Sequence, residues 1–248
     1  INSTGNNIYE EAMNWNISNP NNFSFNWTYN LPSDGTYKWN AFGSDTGGNV
    51  NWSMNGNYTI IIDTTSPSIS IPIPTNNTNY SNINLDINYT TSDVNGLSSC
   101  WYSNDTYTLN ITLASCSTNI TTVTWEQGVH NVRVYANDTS GNINSSSVNF
   151  LIDTQAPVIT INEPQAKNYA NNNTIYLNYS SKDTNSNVDS CWYNVRVLPT
   201  LYYAISNTTL TNCQNITFSL AGGDYNYNLT LFSNDTLNNI KYSSVLFG

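Results

Sequence analysis

Four cysteines, Cys100, Cys116, Cys191 and Cys213, are the residues of this 248-residue chain whose spacing most plainly encodes chemistry. They fall in two corresponding pairs that would close loops of about 16 and 22 residues. A disulfide in each loop would stabilise the fold by roughly 3 kcal/mol by restricting the unfolded chain. Zinc is the other use of four thiols, but CxxC spacing is absent and the chain owns one histidine, His130, so four soft ligands cannot be gathered locally. Two intradomain disulfides are therefore expected, and no metal ligand set is assigned.

The commonest reactive pattern is Asn-x-Ser/Thr, the acceptor for N-linked glycans. It occurs 20 times, at Asn2, Asn16, Asn22, Asn26, Asn51, Asn57, Asn76, Asn79, Asn88, Asn104, Asn110, Asn119, Asn137, Asn144, Asn172, Asn178, Asn207, Asn215, Asn228 and Asn234. With 47 asparagines, about 19% of the chain, chance alone produces many such triplets, so placement weighs more than the count.

Other candidates are weaker. Calcium could be held by Asp63, Asp138 and Asp153, near the end and exit of one domain, but the dense DxD pattern of hard-cation loops is missing and turn capping explains the same residues. His130 opens an expected strand between Val129 and Asn131, and Tyr37 and Tyr225 stand at its corresponding positions, which suits packing better than proton transfer. Gly-x-Ser-x-Gly elbows, phosphate loops and metal-binding His pairs do not occur, and Glu10 and Glu11 are adjacent, hence splayed. No enzyme and no cofactor is expected.

Charge narrows the partners. With 16 acidic residues against 6 basic ones the net charge is −10, so neither nucleic acid nor an anionic membrane surface finds the clustered lysines and arginines that it needs. No apolar run approaches the roughly 20 residues that cross a bilayer, so no membrane insertion is expected in this segment. No signal peptide opens the chain, as in a mature or excerpted extracellular segment, and paired cysteines fit an oxidising, extracellular or cell-surface setting.

The elements that must position these residues repeat. Asp63 recurs as Asp153, Cys100 as Cys191 and Asp138 as Asp235, a period near 90 that corresponds to a domain rather than a solenoid turn. The segments DTTSP (63–67) and DTQAP (153–157) read as linkers, each proline marking the first edge-type strand of the next unit. Within a repeat, apolar residues alternate with period two: Leu85, Ile87 and Tyr89 in one copy, Ile175, Leu177 and Tyr179 in the next. Asn88, Asn178 and Asn228 fall on the opposite face, where a glycan could reach solvent.

The same phase precedes each turn aspartate, at Trp39 and Ala41, Val132 and Val134, and Leu229 and Leu231. The D-x-x-G/N-N turns after Asp45, Asp138 and Asp235 call for positive φ near Gly47 and Gly141, with Asn49, Asn142 and Asn239 bonding locally. Residues 6–15 could hold one short helical turn. Seven or so short strands per unit, punctuated by Pro and Gly, specify an all-β chain of tandem immunoglobulin-like antiparallel β-sandwich domains, with a barrel or jelly roll as the alternative.

The stretches LSSCWYSND (97–105) and GVHNVRVYANDTSGN (128–142), with the DTTxP linker, resemble the immunoglobulin-like repeats of archaeal cell-surface proteins and are similar to bacterial immunoglobulin-like adhesin modules. The first copy lacks the Cys-Trp element and the third replaces the turn glycine with asparagine. The resemblance implies a stalk, adhesin, surface layer or fibre. Trp101 and Trp192 follow the first cysteine of each pair, but neighbours in a strand point to opposite faces, so a local hairpin bridge is expected rather than an inter-sheet one.

Three units are expected: a partial, C-terminal-half domain over 1–63, and complete domains over 64–153 and 154–248. The partial unit would be completed by an upstream segment or by another chain donating a strand to residues 1–62, which implies self-association into a linear assembly. A glycosylated structural array is the leading expectation. An adhesin binding glycans or neighbouring cells through loop aromatics such as Trp52, Tyr202 and Tyr203 is the alternative.

Overall fold

The computed structural model describes residues 31, 33–40, 42–45, 47–52, 56–170, 174–222 and 225–248. The helical turn expected within 6–15 and most of the surface expected to receive a donated strand lie outside them.

Two short two-stranded antiparallel sheets come first, the second formed by the chain between the strands of the first. β1 (Gly35–Trp39) pairs with β4 (Tyr58–Ile62), and β2 (Phe42–Ser44) pairs with β3 (Val50–Trp52). The next seven strands are β5 (Ser68–Ile73), β6 (Thr78–Tyr80), β7 (Asn88–Ser92), β8 (Leu97–Asn104), β9 (Ile111–Thr112), β10 (Gly128–Asp138) and β11 (Ile143–Ile152). One sheet runs β6-β11-β10-β8-β9; opposite it lies the pair β5-β7, extended by a bridge between Ile87 and Ile120. The last seven strands are β12 (Val158–Glu163), β13 (Ile175–Lys182), β14 (Val188–Leu198), β15 (Tyr203–Leu210), β16 (Ile216–Phe218), β17 (Asn226–Asp235) and β18 (Ile240–Phe247). They form a three-stranded sheet, β12-β13-β16, facing a four-stranded one, β15-β14-β17-β18. The chain is nearly all β; among the described residues helix is confined to one 3₁₀ turn, Thr211–Cys213.

Period two explains the strands. Along β10 the side chains of Val132, Val134 and Ala136 are fully buried while Asn131, Arg133 and Tyr135 face outward. Leu229 and Leu231 repeat this in β17. Burying each such aliphatic side chain is worth about 1.5–3 kcal/mol, so the alternation fixes which face of each strand turns inward. One core gathers around Ile87, Trp125, Val132 and Phe150, and a second around Leu177, Val195, Leu229 and Leu231. The two clusters share no residue.

The structure corrects the sequence reading in several places. Trp39 is 43% exposed and stacks on Tyr58, so the first copy does not bury the tryptophan that its phase assigned inward; Tyr37 is the buried residue of β1. Regular pairing within 82–90 begins only at Asn88, although Ile87 and Tyr89 are buried in the expected phase. In the turns the left-handed residue is Gly48 (φ 81), Gly141 (φ 94) and Asn238 (φ 63), three positions after each aspartate, not Gly47. Asparagine tolerates this conformation better than most side chains, which is how the third copy dispenses with glycine.

His130 also has a different counterpart. It pairs with Phe150 as Tyr227 pairs with Phe247, so Tyr227 and not Tyr225 is its equivalent. Tyr37 donates its hydroxyl to the Ser33 carbonyl at 2.7 Å, and Tyr227 donates to the Ala221 carbonyl at 3.0 Å. These are the corner bonds by which a tyrosine pins the turn before its strand. His130 replaces that tyrosine, its Nε2 lying 2.8 Å from the Glu126 carbonyl and its Nδ1 3.2 Å from the Asp105 carboxylate.

Candidate functional site

Each turn that closes a unit is built around one aspartate. Asp138 Oδ1 accepts the N–H groups of Ser140 and Asn142, and its Oδ2 accepts the Asn142 side-chain amide at 2.8 Å. Asp235 does the same with Leu237 and Asn239, and Asp45 with Gly47 and Asn49. Burial pushes the Asp138 carboxyl up, but the side chain and N–H of Asn142 and the N–H groups of Ser140 and Gly141 outweigh it and hold the group below its usual range.

The turn asparagine has a second job. Asn142 Nδ2 also donates to the Asp63 carbonyl at 3.0 Å, and Asn239 Nδ2 donates to the Asp153 carbonyl at 3.1 Å. Each linker is thus tied to the unit that follows it. Upstream, Asp34 accepts the Thr64 N–H and the hydroxyls of Thr64 and Thr65, while Gln127 exchanges two hydrogen bonds with Thr154. Asp34 and Gln127 each immediately precede the glycine that opens β1 or β10. Both linkers are therefore gripped from both sides by side chains at matching positions.

Two acidic triads sit at these joints. Asp63, Asp93 and Asp138 form one, and Asp153, Asp183 and Asp235 the other; within each, one carboxylate oxygen per residue lies within 4.8 Å of the other two. Of the three aspartates expected to share a calcium ion, Asp63 and Asp138 come together, whereas Asp153 lies at the next joint. Asp93 and Asp183 were missed because each sits in a polar turn after its strand, where aspartate is commonplace. Their shared 90-residue offset, the same as from Asp63 to Asp153, was the available signal.

The disulfides occupy a different part of each sandwich. Cys100 bonds Cys116 and Cys191 bonds Cys213. Cys100 and Cys191 are buried in β8 and β14, whereas their partners lie just where the chain leaves one sheet for the other: Cys116 before the Ile120 bridge, Cys213 before β16. Each bond therefore anchors the crossover, not a cross-strand hairpin pair. Trp101 and Trp192 take the outer face, stacked on Tyr135 and Phe232.

The glycan acceptors fall in three groups. Asn51, Asn57, Asn76, Asn79, Asn110, Asn119, Asn144, Asn207 and Asn215 are exposed. Asn88, Asn104, Asn137, Asn178 and Asn228 are half-buried, and Asn234 is buried, its Oδ1 accepting from Ser190. Asn2, Asn16, Asn22, Asn26 and Asn172 lie outside the described residues.

Together the strand order and the joints define a tandem array of immunoglobulin-type β-sandwiches. Similar solved structures include fibronectin(III)-like modules of Clostridium thermocellum CbhA, 14% identical over 73% of this chain and 93% of that one, with a TM-score of 0.38. A run of titin domains is 10% identical over 87% of this chain and 73% of that one, at 0.46. A tetra-tandem repeat from the extending region of a large adhesion protein is 19% identical over 86% of this chain and 56% of that one, at 0.33. No family model matches the chain, and no curated protein does.

Proposed function

We propose that the chain is a spacing element of an extracellular surface structure, with units at 64–153 and 154–248 and a preceding unit ending at 63. The observation that carries this is the doubly gripped linker, present twice with matching residues, because a joint held from both sides transmits position from one sandwich to the next. Two disulfides support an oxidising compartment. Among the described residues no helix is long and apolar enough to cross a membrane.

Self-association into a filament, sheath or surface layer, with residues 1–63 completed by an upstream segment or another chain, belongs to the same reading, as does an N-glycan coat on the exposed acceptors. Electron micrographs of native material should show regular filaments or sheets with an axial repeat; solitary particles would overturn the assembly. Intact mass equal to the bare polypeptide would remove the glycans.

The adhesin reading has one observation in its favour. Leu201, Tyr202, Tyr203 and Tyr225 stand exposed on the last unit, an apolar and aromatic group of the kind that contacts ligands. Glycan-array binding lost on Tyr202→Ala with Tyr203→Ala would favour it over pure spacing.

A further inference from the structure

We propose that each joint is a divalent-cation site and that the ion is calcium, one bound by Asp63, Asp93 and Asp138 and the other by Asp153, Asp183 and Asp235. Oxygens bound to one calcium at 2.3–2.6 Å stand at most about 5 Å apart. The triad oxygens lie within 4.8 Å of one another, so a single ion reaches all three in each set.

Acidic groups crowd many surfaces without an ion; Asp153 sets these apart. Its side chain is 0% exposed. Its Oδ1 accepts the Gln155 N–H, whereas its Oδ2 is buried with no hydrogen-bond partner. Asp63, at the matching place in the other triad, also has a buried Oδ2 without a partner. A buried carboxylate oxygen lacking a donor is among the costlier features a fold can carry, and here two more carboxylates lie beside it. Among the described residues no cationic side chain forms an ion pair with any of the six aspartates. A bound cation supplies both the missing partner and the missing charge.

The donor set selects the ion. All six ligands are carboxylates, every cysteine is in a disulfide, and the single histidine is committed to its strand corner, so soft and borderline metals find no sulfur or nitrogen. Calcium accepts six to eight oxygens in irregular geometry, with water completing the shell, whereas magnesium demands near-ideal octahedra. Because Asp63 and Asp153 leave the upstream unit while the other two carboxylates of each triad sit in turns of the downstream one, the ion stiffens the joint. This holds whether or not the chain assembles into filaments.

Calorimetric titration of the chelator-stripped 248-residue chain with calcium should give two sites, and calcium should raise the thermal midpoint by mass action on the folded state. Asp93→Asn and Asp183→Asn keep the Oδ1 that caps each turn, so each should remove one site, and the double variant should neither bind nor shift. In chelator the variants should melt at or above the parent, since like-charge repulsion is relieved. No calcium uptake by the parent at millimolar concentration, or two equivalents still bound by the double variant, overturns the proposal. Should a variant fail to fold, calcium-competed terbium luminescence on the parent chain reads the same stoichiometry, and no competed signal there overturns it as well.

Discussion

Asn239 Nδ2 lies 3.1 Å from the backbone carbonyl oxygen of Asp153, a residue 86 positions earlier in the chain. The same amide lies 2.8 Å from Asp235 Oδ2, so one side chain holds a turn closed and a linker in place. Asn142 does both jobs at the other joint.

Asn239→Ala should accordingly loosen the joint more than the sandwich. Loss of two hydrogen bonds, one to a carboxylate, is expected to lower the stability of the last unit by about 1–3 kcal/mol in denaturant unfolding. Limited proteolysis should accelerate within 153–157 and leave 63–67 at its parental rate. Equal acceleration at both linkers would separate the amide from the joint.

Removing a crossover bond should cost more. Cys191→Ala with Cys213→Ala frees a loop of 22 residues, and unfolding of the last unit should come about 3 kcal/mol more easily in urea, with the unit containing Cys100 and Cys116 unchanged.

Tyr179 makes a pH prediction. Burial pushes its phenol up to about 12, and its hydroxyl is buried without a partner. An unfolded tyrosine ionises near 10, so the folded unit holds this proton more tightly. Full stability is present below about pH 10 and is lost as pH rises through 12. Tyr179→Phe should match or exceed the parent at neutral pH and move the alkaline unfolding midpoint upward. An unchanged alkaline midpoint would assign that transition to other tyrosines raised by burial, such as Tyr193.

His130 can be tested as a corner residue. His130→Ala removes both ring contacts and opens space beside Trp125 and Phe150, so it should destabilise by about 2–4 kcal/mol. His130→Tyr, which restores the residue found at positions 37 and 227, should retain most of that stability by bonding the Glu126 carbonyl. A tyrosine variant as unstable as the alanine would show that the Asp105 contact, and not the corner, is what matters.

Period-two burial made the strands of both complete sandwiches legible, because a misphased Leu177 or Val134 would face water. The turns were legible too, since D-x-x-G/N-N has few conformations that satisfy its aspartate. The joints were not. Asp93 looks like any turn aspartate until the fold carries it to Asp63 and Asp138, 30 and 45 residues away. The crossover role of the disulfides was equally hidden, because sequence separation says nothing about which sheet receives the second cysteine. Tyr227 was legible by counting, since it stands eight residues before Asp235 as Tyr37 does before Asp45 and His130 before Asp138; Tyr225, two places earlier, shares only its residue type.

Because each disulfide closes off the stretch at a crossover, that stretch cannot lengthen when the chain is pulled from its ends. A sandwich torn open under load would release a tether shortened by roughly 50 Å in the unit with the 16-residue loop and roughly 70 Å in the one with the 22-residue loop. Under a reductant those hidden lengths would be returned, leaving the array more extensible after its first overload than before it.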